Sequence, residues 1–453
     1  MKPGSPPHGA VMLAGLALMA VLASVIFALS RSAVVSADKA RSMALADASA
    51  KSVATWYAQV LNYDAYTNRA IAANEIMMAQ AVTMVAWTQY VEELAQNIGT
   101  VAALIPALQP VATWVQQVST VTHQLATTGA LFEVPLRSAY TRALQSSQSI
   151  MHTSANAFAA QALVNEVVWT GDPRFFGQLI ASTSPSSFFN FTRNFTGEER
   201  ADFASLIRDS QDSYSHQRGF TQRLYLMPTV SCIPRNLDQA FARLNRRGGT
   251  WLTADLQDWE SADTLSIHTW RRRSRWNPTC GGTGESIPLG WGAADASVSG
   301  SDGMDEDPAG LRVNPSAFAR ARDQAVSIPG YLGLSSHREL TDITQQARRD
   351  ALIRVPVLVR LDMGKIAKIK AGSKVFDAKA SGSETSRAAP LGDALWSLGV
   401  AETYFLRPPD TLRSRSEREF ANLFAPFWES RLVLANSADR AVAIALAQAR
   451  GNK

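Results

Sequence analysis

The pattern of apolar and polar positions divides the chain into three regions, and the first is an unbroken apolar run. Ala10–Leu29 holds twenty residues without a charge. At 1.5 Å per residue this length matches the roughly 30 Å hydrocarbon core of a bilayer. We therefore predict a transmembrane helix over 10–30, after a leader of residues 1–9. The alternative is a cleavable secretory signal, for which Val35–Ala37 offers small residues, although such signals have shorter apolar regions.

The second region, residues 31–175, has helical periodicity. Neither Gly nor Pro occurs between Ser36 and Gly99. Apolar residues recur there at steps of three and four, which is typical of one face of a helix: Ala46, Ala50, Val53, Tyr57 and Val60. The pattern predicts one long helix continuous with the membrane span. Pro106 and Pro110 break or kink it, and helical character returns over 111–127 and 136–169.

The helical region is unusual in its charges. No Lys or Arg occurs between Arg69 and Arg137, and no Asp or Glu between Glu93 and Glu133. Its polar positions are Gln, Asn, Ser and Thr, which suit packing against other helices. Three interpretations are open: a bundle that buries its own faces, a surface for self-association or a partner, and a second membrane-inserted segment near 98–121. The glutamines and prolines of that segment disfavour the last.

The third region, from about residue 176, changes to short alternating runs typical of strands. Residues 249–253 and 264–270 predict two strands that can pair as a hairpin, and 355–361 and 401–406 predict two more. A last helix is predicted over 437–450, with Asn436 or Ser437 as its N-cap. The predicted fold class is therefore α+β: a transmembrane helix, a helical stalk or bundle, and a mixed α+β domain over 176–453.

Composition excludes several functional classes. Charged residues make up 18% and the net charge is +5, which is small for 453 residues. We therefore expect no nucleic-acid partner. The two cysteines, Cys232 and Cys280, cannot alone form a four-ligand zinc site. In an oxidising compartment they would close a disulfide loop of about 48 residues, worth roughly 3–4 kcal/mol. The alternative is two buried free thiols.

Motifs for catalysis or cofactor binding are missing from the sequence. Gly281–Ser286 is rich in glycine but lacks the Lys of a phosphate-binding loop, so we predict a turn there. There is no G-x-S-x-G motif, and the six histidines have no metal-ligand spacing. We predict no catalytic residue, no cofactor-binding residue and no metal site, and hence that the protein is not an enzyme.

Two local features suggest contacts with partners. Small residues recur every four positions within the span, at Ala20, Ser24 and Ala28, a stripe that allows close helix packing and homo-oligomers, although Ala-rich helices often contain one by chance. A basic run between two tryptophans forms a candidate patch for an acidic partner or a polyanion; the alternative is a solvated strand end. Its residues are Arg271, Arg272, Arg273 and Arg275.

Several segments resemble TadE/TadG-like proteins of Tad-type (Flp) pilus assembly. Near the N-terminus these are His8–Met12 leading into the span, then Asp38-Lys39 and Ala46–Ala50. Two longer segments and one short one are similar to a long TadG-like subgroup: Ala54–Ala70 with Ala73–Glu75, Asn422–Trp428, and Ala401–Phe405. The resemblance covers about the first 90 residues well and the rest in islands.

The resemblance implies a minor-pilin-like component of the bacterial inner membrane with its C-terminal domain in the periplasm. Local charge alone mildly favours the opposite orientation, since Lys2 lies before the span and Arg31, Lys39 and Arg41 follow it. Pilins that are cut after the leader Gly carry Glu five positions later, where this chain has Ala14. We therefore expect the helix to remain as a permanent anchor.

Three functional hypotheses follow, from three different classes. The first is a structural role in Tad/Flp pilus or related secretion-apparatus assembly, with pilin-like or pilus-assembly proteins as partners. The second is a membrane-anchored periplasmic sensor or envelope-binding protein, which would need a pocket of convergent polar groups. The third is a periplasmic hydrolase, which would need a catalytic cluster brought together only by the fold.

Overall fold

A computed structural model describes residues 8–102, 109–180, 188–224, 242–274, 277–298, 310–365, 388–391, 394–406 and 420–451. Within these residues the fold is mixed α+β with a long apolar helix at the N-terminus, so the predicted fold class is confirmed at that level.

Nine α-helices lie in the described part of the chain. They are α1 (His8–Ala102), α2 (Gln109–Ser154), α3 (Ala157–Gly171), α4 (Phe188–Phe191), α5 (Ala201–Asp209), α6 (Ser213–His216), α7 (Pro315–Asp323), α8 (Gln345–Arg349) and α9 (Ser437–Gly451).

Twelve β-strands lie in the same residues. They are β1 (Phe175–Leu179), β2 (Thr192–Phe195), β3 (Gln217–Leu224), β4 (Ala242–Leu252), β5 (Trp259–Ser274), β6 (Asn277–Ala296), β7 (Val326–Ile328), β8 (His337–Leu340), β9 (Leu352–Asp362), β10 (Ala388–Leu391), β11 (Ala394–Phe405) and β12 (Trp428–Leu432).

Helix α1 is a single helix of 95 residues, so the prediction that the apolar run continues into the following helix is confirmed. From Met12 to Ser30 its residues are exposed, apart from the half-buried Phe27. Among the described helices, this one alone is long and apolar enough to cross a membrane. An apolar stretch that is exposed in the described part of the chain is suited to lipid contact.

Helix α2 corrects the predicted interruption between residues 127 and 136. It runs without a break from Gln109 to Ser154 and contains Pro135. A proline inside a helix removes one backbone hydrogen bond and crowds the preceding turn. Val134 and Ser138 beside it are buried, and this packing keeps the helix continuous. Pro106 lies outside the described residues.

The chain forms two compact units, each assembled from separate stretches. Unit 1 comprises residues 1–66, 149–193 and 339–453, and unit 2 comprises residues 67–148 and 194–338. The sequence-based limits at residues 9, 30 and 175 do not coincide with a unit boundary. Both units combine residues of the helical region with strands that follow it.

Unit 1 is built around an antiparallel sheet with the strand order β1-β9-β11-β10, and β12 also pairs with β11. Alternate residues of β9 point to opposite faces, as its pleat requires. Val355, Val357 and Val359 pack with α1 and α3 in one core, and Leu358 packs with α9 in a second. The predicted strands at 355–361 and 401–406 therefore lie in the centre of this sheet.

The approach of α1 to this sheet depends on one glycine. A Cβ atom at Gly399 of β11 would lie 2.3 Å from the backbone C and O atoms of Ala46. Four positions along β11 towards its end, the Thr403 hydroxyl donates to the Ala54 carbonyl at 2.7 Å. Helix α1 therefore lies directly on the backbone of β11.

Unit 2 has its own five-stranded sheet, in the order β3-β4-β5-β6-β7. Strands β3 to β6 are antiparallel, and β7 pairs parallel to β6. Helix α1 lies on one face, where a Cβ atom at Gly292 would be 2.3 Å from the Ala86 carbonyl oxygen. Helix α7 covers the other face through Ala317, Phe318 and Ala321, which pack on Trp251 and Trp291.

The β4–β5 hairpin confirms the predicted pair of strands near 249–253 and 264–270. The turn predicted at Gly281–Ser286 is wrong, because these residues lie within β6. Irregular pairing between β5 and β6 accommodates its glycines: the register shifts at four places, including Ile267/His268.

The last predicted helix is confirmed as α9, and its cap is Asn436. The Asp439 N–H donates to Asn436 Oδ1 at 2.7 Å, while the Asn436 N–H donates back to Asp439 Oδ2 at 3.1 Å. This reciprocal arrangement satisfies two backbone donors at the start of the helix.

Candidate functional site: an outward apolar stripe and a basic cleft

An ion-pair cluster in unit 1 holds the part of α1 that follows the apolar run. Arg174 donates to Asp38 and Asp172 at 2.9 and 2.8 Å, and Arg41 donates to Asp172 at 2.9 Å. The hydrogen bonds from Arg174 are the main reason that the pKa of Asp172 lies far below its usual range. The cluster fixes α1 to the turn between α3 and β1.

Three of the segments that carry the family resemblance meet, in whole or in part, within unit 1. Asn62 of α1 donates through Nδ2 to the Trp428 carbonyl at 2.9 Å, and the Trp428 N–H donates to Asn62 Oδ1 at 3.0 Å. The contact of Thr403 with Ala54 joins the third segment to the same helix. These segments are far apart in sequence but form one packed cluster around α1.

A buried carboxylate–histidine pair lies beside this cluster. Asp64 is fully buried, and its Oδ2 lies 2.5 Å from His152 Nε2. The His152 ring stacks on Phe188 at 5.3 Å between centroids. Both contacts of His152, with the Asp64 carboxylate and with the Phe188 ring, lie within unit 1. The pair is explained by packing in the core of unit 1.

In unit 2 the facing sides of α1 and α2 are small and polar. The buried residues that α2 contributes to this unit are Ala112, Ser119, Ala130, Val134, Ser138, Thr141 and Gln148. Hydrogen bonds join the helices: Gln148 Nε2 donates to the Thr67 hydroxyl at 2.7 Å, and the Thr120 hydroxyl donates to Glu92 at 2.6 Å. The interface between these helices therefore uses hydrogen bonds more than large apolar side chains.

The large apolar side chains of α2 lie on its opposite side, exposed. We call this set the outward stripe: Val111, Trp114, Val118, Val121, Leu125, Phe132 and Leu136. Their exposed fractions run from 43% to 75%. At 100° per residue, steps of three and four keep these positions on one side of the helix. Helix α2 is thus amphipathic, but its small and polar side is buried and its large apolar side is exposed.

A shallow apolar groove lies between this stripe and α1. It has a volume of about 240 Å³ and is lined from α1 by Trp87, Thr88 and Val91. Trp114 and Val118 contribute from α2, as do Val115, Ser119 and Thr122. Groove and stripe together offer an apolar helix-binding surface within unit 2.

A second surface feature of unit 2 is a polar cleft of about 480 Å³ on the α7 face of its sheet. We call it the basic cleft. Its lining includes Arg243, Asn245 and Arg247 of β4, together with Thr221, His268, Gly284, Glu285, Arg312, Val313, Pro315 and Ser316. Strand β4 positions its three residues because every second side chain points to the same face.

Glu285 closes one end of the basic cleft by capping α7. Its carboxylate accepts the Ser316 and Ala317 N–H groups at 2.5 and 3.0 Å and the Ser266 hydroxyl at 2.7 Å. Burial acts to raise the pKa of Glu285, but these hydrogen bonds lower it overall. The carboxylate is therefore ionised and already bound by its own chain.

His268 and Asn314 hold the floor of the cleft. Asn314 Nδ2 donates to the Asn245 carbonyl and to the Thr264 hydroxyl, both at 3.0 Å. Its Oδ1 is therefore the acceptor for His268 Nε2 at 2.8 Å. Both residues are buried, so their positions are fixed by the packing of the sheet.

Another fully buried carboxylate, Glu75 of α1, anchors a loop in unit 2. It accepts the Ser335 N–H and hydroxyl at 3.1 and 2.8 Å and the Tyr331 hydroxyl at 3.1 Å. Trp259 Nε1 donates to it at 3.4 Å. Burial raises the pKa of Glu75, and the hydrogen bonds oppose this. With four donors directed at it, this residue has a structural role.

The structure places the sequence-predicted site residues as follows. Ala20, Ser24 and Ala28 lie exposed on α1, and the Ser24 hydroxyl donates to the Val21 carbonyl at 2.7 Å. Arg271, Arg272 and Arg273 lie in β5, and their side chains are outside the described part, as is all of Arg275. Cys280 lies in β6 opposite Arg272, and Cys232 is outside the described residues, so the disulfide stays a prediction.

Among the described residues, no group of three or more His, Cys, Asp or Glu side chains is arranged so that it could hold a metal ion. Comparison with protein-family models, curated proteins and solved structures gives no match.

Two surfaces were missed by reasoning from sequence. The outward stripe has a sequence signal, the steps of three and four from Val111 to Leu125. That signal does not tell which face of the helix is inward. The basic cleft has none, since it joins residues of β3, β4, β5, β6 and α7 through strand register.

Proposed function

We propose that the protein is a non-enzymatic, membrane-anchored component of Tad/Flp-type pilus or related secretion-apparatus assembly. In this proposal it is held in the bacterial inner membrane by the apolar start of α1, with both units in the periplasm. The outward stripe binds the apolar helix of a pilin-like subunit. The stripe is the observation that carries the proposal.

The free energy available from the stripe is large enough for such a partner. Fully burying one Val, Leu or Phe side chain is worth roughly 1.5–3 kcal/mol. The seven residues of the stripe are 43–75% exposed. Covering them would contribute on the order of 5–10 kcal/mol before the cost of association. This free energy is not gained while the side chains are exposed to water, so binding of a helix over the stripe is strongly favoured.

The spacing and the charge of the stripe define its partner. Steps of three and four suit an antiparallel or parallel helix packed along α2. Between Glu93 and Glu133 the chain has no charged side chain to select a charged partner. An uncharged, apolar helix fits this surface, which is the kind of helix expected of a pilin-like subunit.

The family resemblance supports the same proposal. Three of its segments pack together in unit 1, where Asn62 contacts Trp428 and Ala54 contacts Thr403. This is expected if the resemblance reflects a shared structural unit. Inner-membrane and periplasmic placement come from the resemblance, together with the apolar start of α1, which is long enough to span a membrane.

The proposal is tested by complementing a deletion strain of the host. We expect the wild-type gene to restore surface pili, and Leu125→Glu with Phe132→Glu to fail although the protein accumulates in the membrane. Gln117→Glu with Gln124→Glu is the matched control, since it adds the same charge at exposed positions on another side of α2. This control should restore pili fully.

Pili that remain unchanged on deletion of the gene would contradict the role itself. Equal loss of pili with the stripe variant and with its control would contradict the role of the stripe. Pilus counts by electron microscopy and membrane levels by immunoblot provide the two readouts.

A second candidate function is a membrane-anchored protein that binds a ligand or envelope polymer. The basic cleft favours it, because polar groups from four strands and α7 converge there. The two functions are compatible, since the cleft and the stripe use different residues of unit 2.

A further inference from the structure

Strand register places four ionisable side chains in one row across unit 2. Arg223 of β3 pairs with Arg243 of β4, Arg243 pairs with His268 of β5, and His268 pairs with Glu285 of β6. Directly paired residues lie side by side on one face of a sheet, about 5 Å apart at Cβ. The row therefore begins with two adjacent arginines.

Two arginines directly opposite each other destabilise a sheet unless an anion lies between them. Glu285 cannot provide this anion, because the N-terminus of α7 and the Ser266 hydroxyl already bind its carboxylate. Within the described residues Arg243 makes one contact with a polar or aromatic group, its guanidinium lying 5.8 Å from the centre of the Trp270 ring. Arg223 is exposed beside it. Among the described residues, this pair of positive charges thus has no compensating anion in the row.

Arg247, the next arginine on the same face of β4, adds N–H donors whose direction is fixed by the fold. Arg247 Nη1 donates to the Phe220 and Arg246 carbonyls at 3.0 and 2.6 Å, and its Nη2 donates to the Thr221 hydroxyl at 3.1 Å. A guanidinium has five N–H donors, so two remain. Three bonds hold the group in place, which preorganises the remaining donors for a ligand.

The rest of the lining suits hydroxyl groups. Thr221, Asn245 and Ser316 provide hydroxyl and amide groups around the arginines, and Trp270 lies at the edge beside Arg243. Guanidinium groups pair with carboxylate or phosphate through two parallel hydrogen bonds. The volume of about 480 Å³ lies in the range of small-ligand sites. A polynucleotide or extended peptide would need a longer track.

We propose that the basic cleft of unit 2 binds an anionic carbohydrate, with the acid group of one sugar held at the rim of the cleft between Arg243 of the lining and its strand neighbour Arg223. Arg247 donates to the hydroxyl groups of a neighbouring sugar, and the Thr221 oxygen, whose proton is donated to Asn245 Oδ1 at 2.9 Å, accepts from one of them. The inference deepens the second candidate function, and it does not require the pilus-assembly role.

Calorimetric titration of the full chain in detergent micelles tests the proposal. The probes are trigalacturonate, the neutral trisaccharide maltotriose, inorganic pyrophosphate, a hexaglutamate peptide and a thymidine oligonucleotide. We expect trigalacturonate to bind, and maltotriose to bind at least about tenfold more weakly because it lacks the charge-assisted hydrogen bonds.

Variants locate the site. Arg243→Gln should weaken trigalacturonate binding about tenfold or more, and Arg243→Lys should restore only part of it, because Lys cannot form the bidentate pair. Arg69→Gln is the matched control: it removes the same charge from an exposed position of α1 in the same unit, and it should bind like the wild type.

Thermal unfolding separates a binding role from a structural one. If the Arg223–Arg243 pair is kept for ligand binding, Arg243→Gln should leave the midpoint unchanged or raise it, because a repulsion is removed. A structural role of Arg243 would instead lower the midpoint.

Several results would overturn the proposal. Absence of trigalacturonate binding, or binding unchanged by Arg243→Gln, would show that the cleft is not the site. Tighter binding of hexaglutamate would identify an acidic peptide as the ligand. Equal binding of pyrophosphate and the oligonucleotide would show only general attraction of anions. None of these results alters the expectation for pili in the stripe variants, so the two proposals fail separately.

Discussion

At the scale of single residues, unit 1 is held around α1 by side chains that form hydrogen bonds with the backbone of other segments. Asn62 does this most fully, since it both donates to and accepts from the backbone of Trp428. Trp428 is itself 2% exposed, so water cannot take over these bonds. The sequence placed Asn62 and Trp428 in resembling segments but gave no sign that they touch.

We predict that Asn62→Ala lowers the free energy of unfolding by about 1–3 kcal/mol, because it leaves a buried N–H and a buried carbonyl without partners. Gln59→Ala, an exposed position of the same helix, is the control and should change it by less than about 0.5 kcal/mol. Thermal unfolding of the full chain in detergent measures both. Equal midpoints for the two variants would contradict the role given to Asn62.

The carboxyl of Glu339 gives a prediction on pH. Burial raises its pKa from 4.5 to about 7, although the Leu340 and Leu423 N–H groups donate to it at 2.8 and 3.1 Å. The folded state therefore holds the proton more tightly than the unfolded state. The stability from this group is present below about pH 4.5 and is lost as the pH rises to about 7, up to about 3 kcal/mol.

Glu339→Gln removes this titration. We predict that the variant gains stability relative to the wild type as the pH rises from 4.5 to 7, measured by chemical unfolding across that range. Because both proteins share every other titrating group, their difference isolates Glu339. A difference that stays constant with pH would show that Glu339 ionises normally in the folded chain.

At the scale of elements, periodicity predicted α1 well and α2 only in part. The run without Gly or Pro from Ser36 to Gly99 was sufficient to predict a continuous helix. The prediction of a break near Pro135 was wrong. Proline disfavours a helix locally, but tertiary packing keeps α2 continuous there. The turn predicted at Gly281–Ser286 was wrong for a similar reason. These residues lie in β6, which pairs irregularly with β5.

Contact of α1 with β11 requires glycine at position 399. We predict that Gly399→Ala destabilises unit 1 by about 1–3 kcal/mol or more, because its Cβ atom would lie 2.3 Å from the backbone of Ala46. Gly364→Ala is the control, with no atom within 4 Å of the added carbon. Unfolding of the two variants measures the difference. A Gly399→Ala protein as stable as the control would contradict the close approach of the helix.

At the scale of the whole molecule, the division into units was beyond the sequence. Each unit draws on separate stretches, and only the fold shows that residues 67–148 belong with 194–338. The basic cleft was equally out of reach, because its row of Arg223, Arg243 and His268 depends on the register of three strands. Mixed α+β class and the N-terminal apolar helix could be predicted, since both follow from local pattern.

The prediction at the scale of the whole molecule concerns its membrane topology. With one span and both units exported, a C-terminal epitope tag should be digested by protease in spheroplasts and protected in inverted membrane vesicles. A cytoplasmic marker digested only in the vesicles is the control. Digestion of the tag only in inverted vesicles would place the units in the cytoplasm and contradict the pilus-assembly proposal.

In-cell crosslinking from the outward stripe tests the central claim most directly. A photoreactive benzoylphenylalanine would replace Leu125 in the stripe, or Gln124 on another side of α2, in piliated cells of the host. The account predicts that position 125 crosslinks to a pilin-like membrane protein and that position 124 does not. No crosslink from position 125, or the same products from both positions, would contradict it.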